Sequence, residues 1–422
     1  MKKFLTLVLA MIMAVTCCGL VACGGGEEEG NGKVAALICL HGEGSSYDKN
    51  FIDAFKAACA AKGLTEDQYT IVVDVPEDTP CYDKAAEFAD AGYKAIFADS
   101  FGHEKFMIQA AKEFPEVQFC HATGTAGGFA LTESTEDDAP ANFHNAFASI
   151  YEGRYLAGVA AGLKLIDLYG EDITADEAKI GYVGAWPFAE VKSGLTSFYL
   201  GVKSVVANVT MEVKYTYSWY DELKEKASAL ALIENGAKLV SGHADSMGVP
   251  AACKEKGVPN VFYNGTTTED TFVIASKINW QPYFEIMIDG ALGKGEIPKD
   301  YTGTLATSSV QITALGAAAA EGTQAKLDEV KAKLMSGEIN VFDTANFTVK
   351  NAKADASAFS KAGFITMDEN GKLTAYNADV IDDGTFTGET NVIENGIFKE
   401  SKFRSAPYFD IVIDGITIGA DA

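Results

Sequence analysis

Aromatic, carboxylate, hydroxyl and imidazole side chains follow several short apolar runs in this sequence, at points where a strand would give way to a helix. They are Tyr47, Asp48, Ser100 and Phe101 in the first part of the chain, and Trp186, Trp219, Asp221, His243 and Asp245 in the second. Aromatic rings stack on flat heterocycles, and polar side chains hydrogen-bond to their edges. These positions therefore predict a binding site for a small, flat and polar ligand.

Catalytic motifs are absent from the sequence. It contains no G-x-S-x-G, H-E-x-x-H or G-x-x-x-x-G-K-[ST] pattern. Its five histidines include no pair at i, i+4 spacing, so the usual helical metal site is not indicated. The sequence predicts a binding protein that is not an enzyme and that holds no cofactor or metal.

Charge and cysteine usage narrow the possible partners. The chain has 422 residues and a formal net charge of −25, which repels the phosphates of nucleic acids and excludes them as partners. Past residue 32 the chain has five cysteines without C-x-x-C spacing, and buried thiols are expected rather than disulfides or zinc ligands. They are Cys39, Cys59, Cys81, Cys120 and Cys253.

Short apolar runs alternate with amphipathic helical patterns from Lys33 onward. The run from Val34 to Leu40 predicts a buried strand, and the segment from Lys49 to Lys62 predicts a helix. Near-continuous apolar strands separated by helices are typical of a parallel, doubly wound sheet. Two such series predict an α/β fold with two similar lobes, and ligands of such folds lie beyond the carboxyl ends of the strands.

The predicted boundaries follow this pattern. Residues 33–147 form the first lobe, residues 148–264 form the second, and residues 265–310 return to the first. Residues 311–343 are predicted to be a helical segment. Residues 344–422 carry Gly and Asp turns between short alternating runs such as Tyr408 to Ile413, which predicts a β-rich C-terminal extension built of hairpins.

The first 22 residues have the pattern of a signal peptide. Lys2 and Lys3 precede an apolar stretch, and Leu20-Val21-Ala22 precedes Cys23 in a way that resembles the bacterial lipobox. The resemblance implies acylation of Cys23 and attachment to the outer face of the cell membrane. Residues 23–32 are rich in Gly and Glu and predict a flexible tether.

A set of motifs, in order along the chain, resembles the basic membrane protein family of substrate-binding lipoproteins, which serve ABC importers and include purine nucleoside receptors. The resemblance runs from about Val34 to Leu305. The motifs are Asp48 to Phe51, Tyr151 to Gly162, Gly184 to Glu190, Trp219 to Glu225, His243 to Ser246, and Asn279 to Tyr283. It implies the type I periplasmic-binding-protein fold, with two Rossmann-like lobes joined by a hinge.

The resemblance also implies roles for single residues. In nucleoside-binding members the base lies between two rings, which by motif position are Phe51 and Trp219, with Asp48 contacting the base. The family holds ribose with an Asp and a Lys, whereas the matching positions here are Asn264 and Asn279. Charge-assisted hydrogen bonds are the stronger kind, so this difference favours a free base or another heterocycle. Trp280 is expected to help close the pocket.

The leading hypothesis is a monomeric receptor that closes its lobes over a purine base or nucleoside and presents it to an ABC permease. The alternative is a receptor for a sugar or another polar small molecule on the same fold, with Asp99, Asp221 and Asp245 binding hydroxyl groups. A third hypothesis is a surface hydrolase or adhesin that acts through the C-terminal extension.

Overall fold

The computed structural model describes residues 32–125, 139–350, 365–378 and 390–419. The predicted signal peptide, Cys23 and nearly all of the predicted tether lie outside these residues. Within them, no helix is both long and apolar enough to cross a membrane. The five cysteines past residue 32 are buried free thiols, as predicted.

The described residues form alternating helices and strands. The helices are α1 (Ser46–Ala61), α2 (Thr79–Asp90), α3 (Glu104–Glu113), α4 (Tyr151–Tyr169), α5 (Ala189–Lys203), α6 (Glu222–Glu234), α7 (Gly248–Lys256), α8 (Gln281–Ala291) and α9 (Thr323–Ser336). The strands are β1 (Ala35–Ile38), β2 (Tyr69–Val72), β3 (Ala95–Ala98), β4 (Gln118–Ala122), β5 (Phe143–Ala148), β6 (Lys179–Gly184), β7 (Thr210–Tyr215), β8 (Val240–His243), β9 (Asn260–Tyr263), β10 (Phe272–Ile278), β11 (Asp300–Gly303), β12 (Val310–Ile312), β13 (Ile365–Met367), β14 (Leu373–Tyr376), β15 (Ile393–Glu394), β16 (Ile397–Phe398) and β17 (Ile416–Ile418).

Each lobe is built on one twisted sheet. The first lobe has the strand order β11-β5-β4-β3-β1-β2, with every neighbouring pair parallel. The second lobe has the order β12-β10-β9-β8-β6-β7-β17, and only the pairing of β10 with β12 is antiparallel. The central strands are buried on both faces, which explains why they consist of almost continuous apolar residues. The predicted two-lobed α/β architecture is confirmed.

The chain passes between the lobes at three points, and these correct one predicted boundary. The first passage leads from β5 to α4, and the third leads from β11 to β12. The second passage follows β10, because β10 pairs with β9 in the second lobe while α8 packs on α1 in the first. The return to the first lobe therefore begins after Ile278, and not at residue 265.

Helices α4 and α5 approach each other through glycines. A Cβ atom at Gly158 would overlap the carbonyl oxygen of Phe198, and a Cβ atom at Gly201 would overlap that of Tyr155. The small residues in the segment from Tyr151 to Gly162 therefore serve a close helix contact. This contact fixes α4, the first element after the hinge, on the second lobe.

The C-terminal extension contacts both lobes. Strands β13 and β14 form one antiparallel pair, and β15 and β16 form another. In contrast to the predicted hairpin strand, residues Tyr408 to Ile413 form no strand. Instead, Phe409 stacks on Phe342, with 4.4 Å between ring centroids, in an aromatic cluster that reaches Tyr151. Strand β17 then adds to the edge of the second sheet beside β7, an addition that the sequence does not predict.

Polar contacts tie the same extension to each lobe. The Lys192 ammonium of α5 lies 2.6 Å from an Asp410 carboxylate oxygen. The backbone N–H of Ser405 donates to Asp300 of β11 in the first lobe over 2.5 Å. The extension is thus part of the two-lobed body and not a separate domain.

Replacing Gly158 with Ala should destabilise the fold, because the added methyl group meets a backbone oxygen that only a shift of a helix can relieve. We expect the free energy of unfolding to fall by about 1–3 kcal/mol. Urea unfolding followed by circular dichroism measures this loss. Gly44→Ala is the matched control, since nothing lies within 4 Å of its Cβ position. Equal stabilities of the two variants would contradict the proposed contact.

Candidate functional site

A cleft lies between the lobes, where the carboxyl ends of their strands face each other. The first lobe contributes Leu40, Tyr47, Asp48, Ser100, Phe101 and Thr123, and the second contributes Glu190, Trp219, His243, Asp245 and Tyr263. The space between these side chains measures about 420 Å³ when the part open to solvent is included. Such lobe interfaces are the usual ligand positions in doubly wound folds.

Helix α1 presents Tyr47 and Asp48 to the cleft. Ser45 caps the helix, with its side chain accepting a hydrogen bond from the Asp48 backbone N–H over 3.2 Å. The Asp48 carboxylate in turn accepts the N–H of His41 over 2.6 Å. The Tyr47 hydroxyl donates to the carbonyl oxygen of Asp99 over 2.9 Å, which fixes the ring at the cleft wall.

A buried acidic cluster supports this wall. The ligand atoms of Cys39, Asp48 and Asp99 all lie within 4.8 Å of one another. Burial and the neighbouring charge of Asp48 raise the pKa of Asp99 well above its usual value. Burial, with the charge of Asp99, likewise raises the pKa of the Cys39 thiol.

The second-lobe wall rests on a hydrogen-bonded chain under its surface. Arg154 donates to the Tyr182 hydroxyl over 2.8 Å, and that hydroxyl lies 2.9 Å from His243 Nδ1. Burial lowers the pKa of His243, so its imidazole is neutral at physiological pH. Burial, followed by the charge of Asp48, raises the pKa of Asp245 well above its usual value.

An aromatic rim surrounds the mouth of the cleft. Trp186 stacks on Phe188 with an interplanar angle of 8°, and Phe188 lies 6.1 Å from Trp219 between ring centroids. Phe101 approaches Phe188 from the opposite lobe at 5.9 Å. Phe188 is 43% exposed, so the rim presents apolar rings to solvent at the entrance.

The lobes also meet through hydrogen bonds from α1. The Ser46 N–H donates to the carbonyl oxygen of Asp245 over 3.0 Å. The Asn50 side-chain amide donates to the carbonyl oxygen of Ile278, at the end of β10, over 2.5 Å. Helix α1 therefore carries two of the first-lobe cleft residues, Tyr47 and Asp48, and it also contacts the second lobe.

The structure brings together most of the residues predicted from strand ends. Those on the cleft wall are Tyr47, Asp48, Ser100, Phe101, Trp219, His243 and Asp245. Phe51 and Trp280 lie elsewhere, in contrast to their expected roles in stacking and closure. Both are buried in the core, where they stack on each other with 4.4 Å between centroids. Tyr47, one helical turn before Phe51, occupies the cleft wall in its place.

Four further predicted residues do not line the cleft. Asp221 caps α6 by accepting the Lys224 N–H over 3.0 Å. Asn264 accepts the N–H of Ile278 over 3.1 Å, which ties β9 to the end of β10. The others are Asn279, which bonds to the Ser308 carbonyl oxygen, and Trp186, which belongs to the rim. The expected match of Asn264 and Asn279 to the residues that hold ribose in the family therefore does not apply to this cleft.

Sequence reasoning missed Leu40, Thr123, Glu190 and Tyr263 as wall residues. Thr123 directly follows β4, and Tyr263 is the last residue of β9. Glu190 lies in the first turn of α5, after β6. Applying the strand-end rule to every strand, and extending it to the first helical turn, would have selected Thr123, Tyr263 and Glu190, and Leu40 lies two residues after the end of β1.

The pKa of Asp99 leads to a pH prediction. Its folded pKa is raised, so the unfolded state ionises first and stability falls as pH rises from about 4 towards the folded pKa. Asp99→Asn removes this ionisation and should flatten the decline, by at most about 1.4 kcal/mol per pH unit. Thermal unfolding at pH 5 to 9 measures it, with the exposed Asp53→Asn as control. An unchanged slope in Asp99→Asn would contradict the raised pKa.

Comparison with known proteins shows which family the chain resembles. Residues 44–345 match the family model described as ABC transporter substrate-binding protein PnrA-like. A protein named purine-binding protein from Brucella abortus is 30% identical over 302 residues, covering 70% of this chain and 77% of its own. A protein from Haloferax volcanii named putative ABC transporter glucose-binding protein is 24% identical, covering 77% of this chain and 78% of its own.

A solved structure shares the fold. An ABC transporter system solute-binding protein from Conexibacter woesei superimposes with a TM-score of 0.58 at 20% identity, covering 73% of this chain and 98% of its own. The match to a family of ABC transporter substrate-binding proteins supports the prediction that the chain is not an enzyme. The chain belongs to the PnrA-like family of ABC transporter substrate-binding proteins.

Proposed function

We propose that this protein binds a purine base or nucleoside between its lobes and delivers it to the permease of an ABC importer. The observation that carries the proposal is a cleft with rings on both walls, Tyr47 and Phe101 on the first and Trp219 on the second, and with the carboxyl groups of Asp48 and Asp245 among its lining. Rings of this kind stack on a flat base, and carboxyl groups hydrogen-bond to its edge. The name of the Brucella relative supports the same ligand class.

A sugar is the second candidate ligand. The Haloferax relative is named as a putative glucose-binding protein, and carboxyl groups also bind hydroxyl groups well. The wall includes Asp48, Glu190 and Asp245, which could hold several hydroxyls. The rings on both walls favour the purine, since a base offers two flat faces for stacking.

Calorimetry separates these candidates. The mature chain with Cys23→Ser is titrated with adenine, guanine, hypoxanthine, their nucleosides and glucose. We expect at least one purine to bind with a Kd well below roughly 100 μM. A Kd of that size corresponds to a binding free energy of about −5.5 kcal/mol. Binding of glucose without any purine would replace the proposal with the sugar candidate.

Trp219→Ala should weaken purine binding, because it removes a stacking surface worth about 1–3 kcal/mol, or roughly 5- to 150-fold in Kd. Calorimetry with the tightest purine measures the change. Trp186→Ala is the matched control, since Trp186 lies at the rim and off the cleft wall. A Trp219→Ala variant that binds as tightly as the control would exclude stacking on this ring.

We also propose that acylation of Cys23 holds the receptor at the outer face of the membrane. A tethered receptor has a high effective concentration at a permease in the same membrane. The support is the run of residues before Cys23 and the Gly/Glu segment after it.

Cys23→Ser should move the protein from the membrane fraction to the soluble fraction and abolish labelling by a fatty acid, because the acylated thiol is lost. Fractionation of expressing cells and incorporation of labelled palmitate measure both effects. The matched control is Cys18→Ser, which removes a nearby cysteine without touching the proposed acylation position. Labelling that persists in Cys23→Ser would place the lipid elsewhere.

A further inference from the structure

The hydrogen-bonded chain behind the cleft fixes the position of one proton. The guanidinium of Arg154 can only donate, so the oxygen of Tyr182 accepts from it. Among the described residues, the remaining polar partner of that hydroxyl is His243 Nδ1. When the hydroxyl donates to Nδ1, its proton has a partner and the imidazole proton lies on Nε2, the nitrogen nearest to the Glu190 carboxylate. A neutral imidazole that accepts at Nδ1 carries its own proton at Nε2. His243 thus presents an N–H donor at Nε2.

This donor is buried and directed at the cleft without a hydrogen-bond partner. His243 is 1% exposed and lines the cleft, and its Nε2 atom has no partner within hydrogen-bond distance among the described residues. The Glu190 carboxylate oxygen lies 3.8 Å away, too far for an ordinary hydrogen bond, but near enough to act against the larger, lowering effect of burial on the pKa of His243. An unsatisfied buried donor is costly, and ligand-binding sites are a common place for one.

Glu190 supplies the complementary group. Its carboxylate lies beside the His243 donor on the same wall, so the cleft offers a donor and an acceptor next to each other. A ligand edge that matches this pair has a ring acceptor adjacent to an N–H donor. The amidine edge of adenine, with an unprotonated ring nitrogen beside the amino group, has this pattern.

We propose that His243 and Glu190 read an acceptor–donor edge of the ligand and make the cleft selective for purines that carry an amino group beside a ring nitrogen. The inference rests on the proposed purine binding. Tyr182 is a positioning residue that sets the tautomer of His243 from behind the wall. No Lys or Arg side chain lies among the wall residues described for this cleft, so anionic purines such as urate bind without charge compensation and are disfavoured.

The test compares adenine with unsubstituted purine, which lacks only the amino group. In the full-length mature protein we expect adenine to bind at least tenfold more tightly than purine and urate. Glu190→Ala should reduce the adenine-to-purine ratio below threefold, because neither ligand then finds the acceptor. Glu190→Gln keeps an acceptor oxygen and should retain part of the ratio. Glu255→Ala, on the surface of α7, is the matched control and should leave the ratio unchanged.

The calorimetric outcomes separate the two proposals. If the wild-type protein binds no purine, the proposed function fails, and this selectivity fails with it. If it binds purines and Glu190→Ala leaves the adenine-to-purine ratio unchanged, only the edge reading by Glu190 is overturned. Circular dichroism of each variant confirms that a change in ratio is not a loss of fold.

Nitrogen-15 NMR of the histidine rings tests the positioning role without any ligand. The wild-type spectrum should show His243 as the neutral tautomer with its proton on Nε2, assigned by the loss of its signals in His243→Gln. Tyr182→Phe removes the hydroxyl and should shift the Nδ1 resonance or mix the tautomers, while His144 serves as an internal control. A wild-type His243 protonated on Nδ1 would overturn the inference.

Discussion

A guanidinium buried completely in the second lobe is the constraint on which the cleft depends. Arg154 lies at the start of α4 and reaches Tyr182 on β6, Ser241 on β8 and the Phe262 carbonyl oxygen on β9. Removing a cation from water is costly, and these three acceptors satisfy only the terminal nitrogens of the guanidinium, while its Nε atom has no hydrogen-bond partner among the described residues, so the acceptors must keep their positions. The end of each of these strands leads into a part of the second-lobe wall. One charge therefore aligns the hinge helix with the strand ends that face the ligand.

The first lobe positions its wall residues through apolar contacts instead of a buried charge. Phe51 on α1 stacks on Trp280, which directly precedes α8, and this pair lies in the core beneath the cleft. The stack fixes the rotation of α1 about its axis, and the cap at Ser45 fixes where the helix begins. With both set, Tyr47 and Asp48 must face the second lobe. The two lobes thus use different chemistry, an ion in one and an aromatic stack in the other, to hold their walls.

Much of this architecture is readable from the sequence because it depends on local patterns. Buried strands, amphipathic helices and polar strand-end residues such as Ser100 and His243 are all set by neighbours in the chain. The choice between Tyr47 and Phe51 is different, because both lie on α1 and only the stack on Trp280, far along the chain, decides which ring faces the cleft. The lobe assignment of β10 and the parallel addition of β17 also depend on pairing between distant segments. No local periodicity carries that information.

The carboxyl groups of the cleft serve different ends because their surroundings differ. Asp245 is deeply buried near other acids, and its raised pKa means that it can hold a proton and act as both donor and acceptor. Glu190 lies in the first turn of α5 with its side chain 16% exposed, and its carboxylate oxygens can accept hydrogen bonds. The His243 imidazole, with its proton on Nε2 as proposed above, adds a hydrogen-bond donor to the same wall. A wall that mixes donors and acceptors suits the edge of a purine, on which ring nitrogens and amino or oxo groups alternate, better than a wall of uniformly charged carboxylates would.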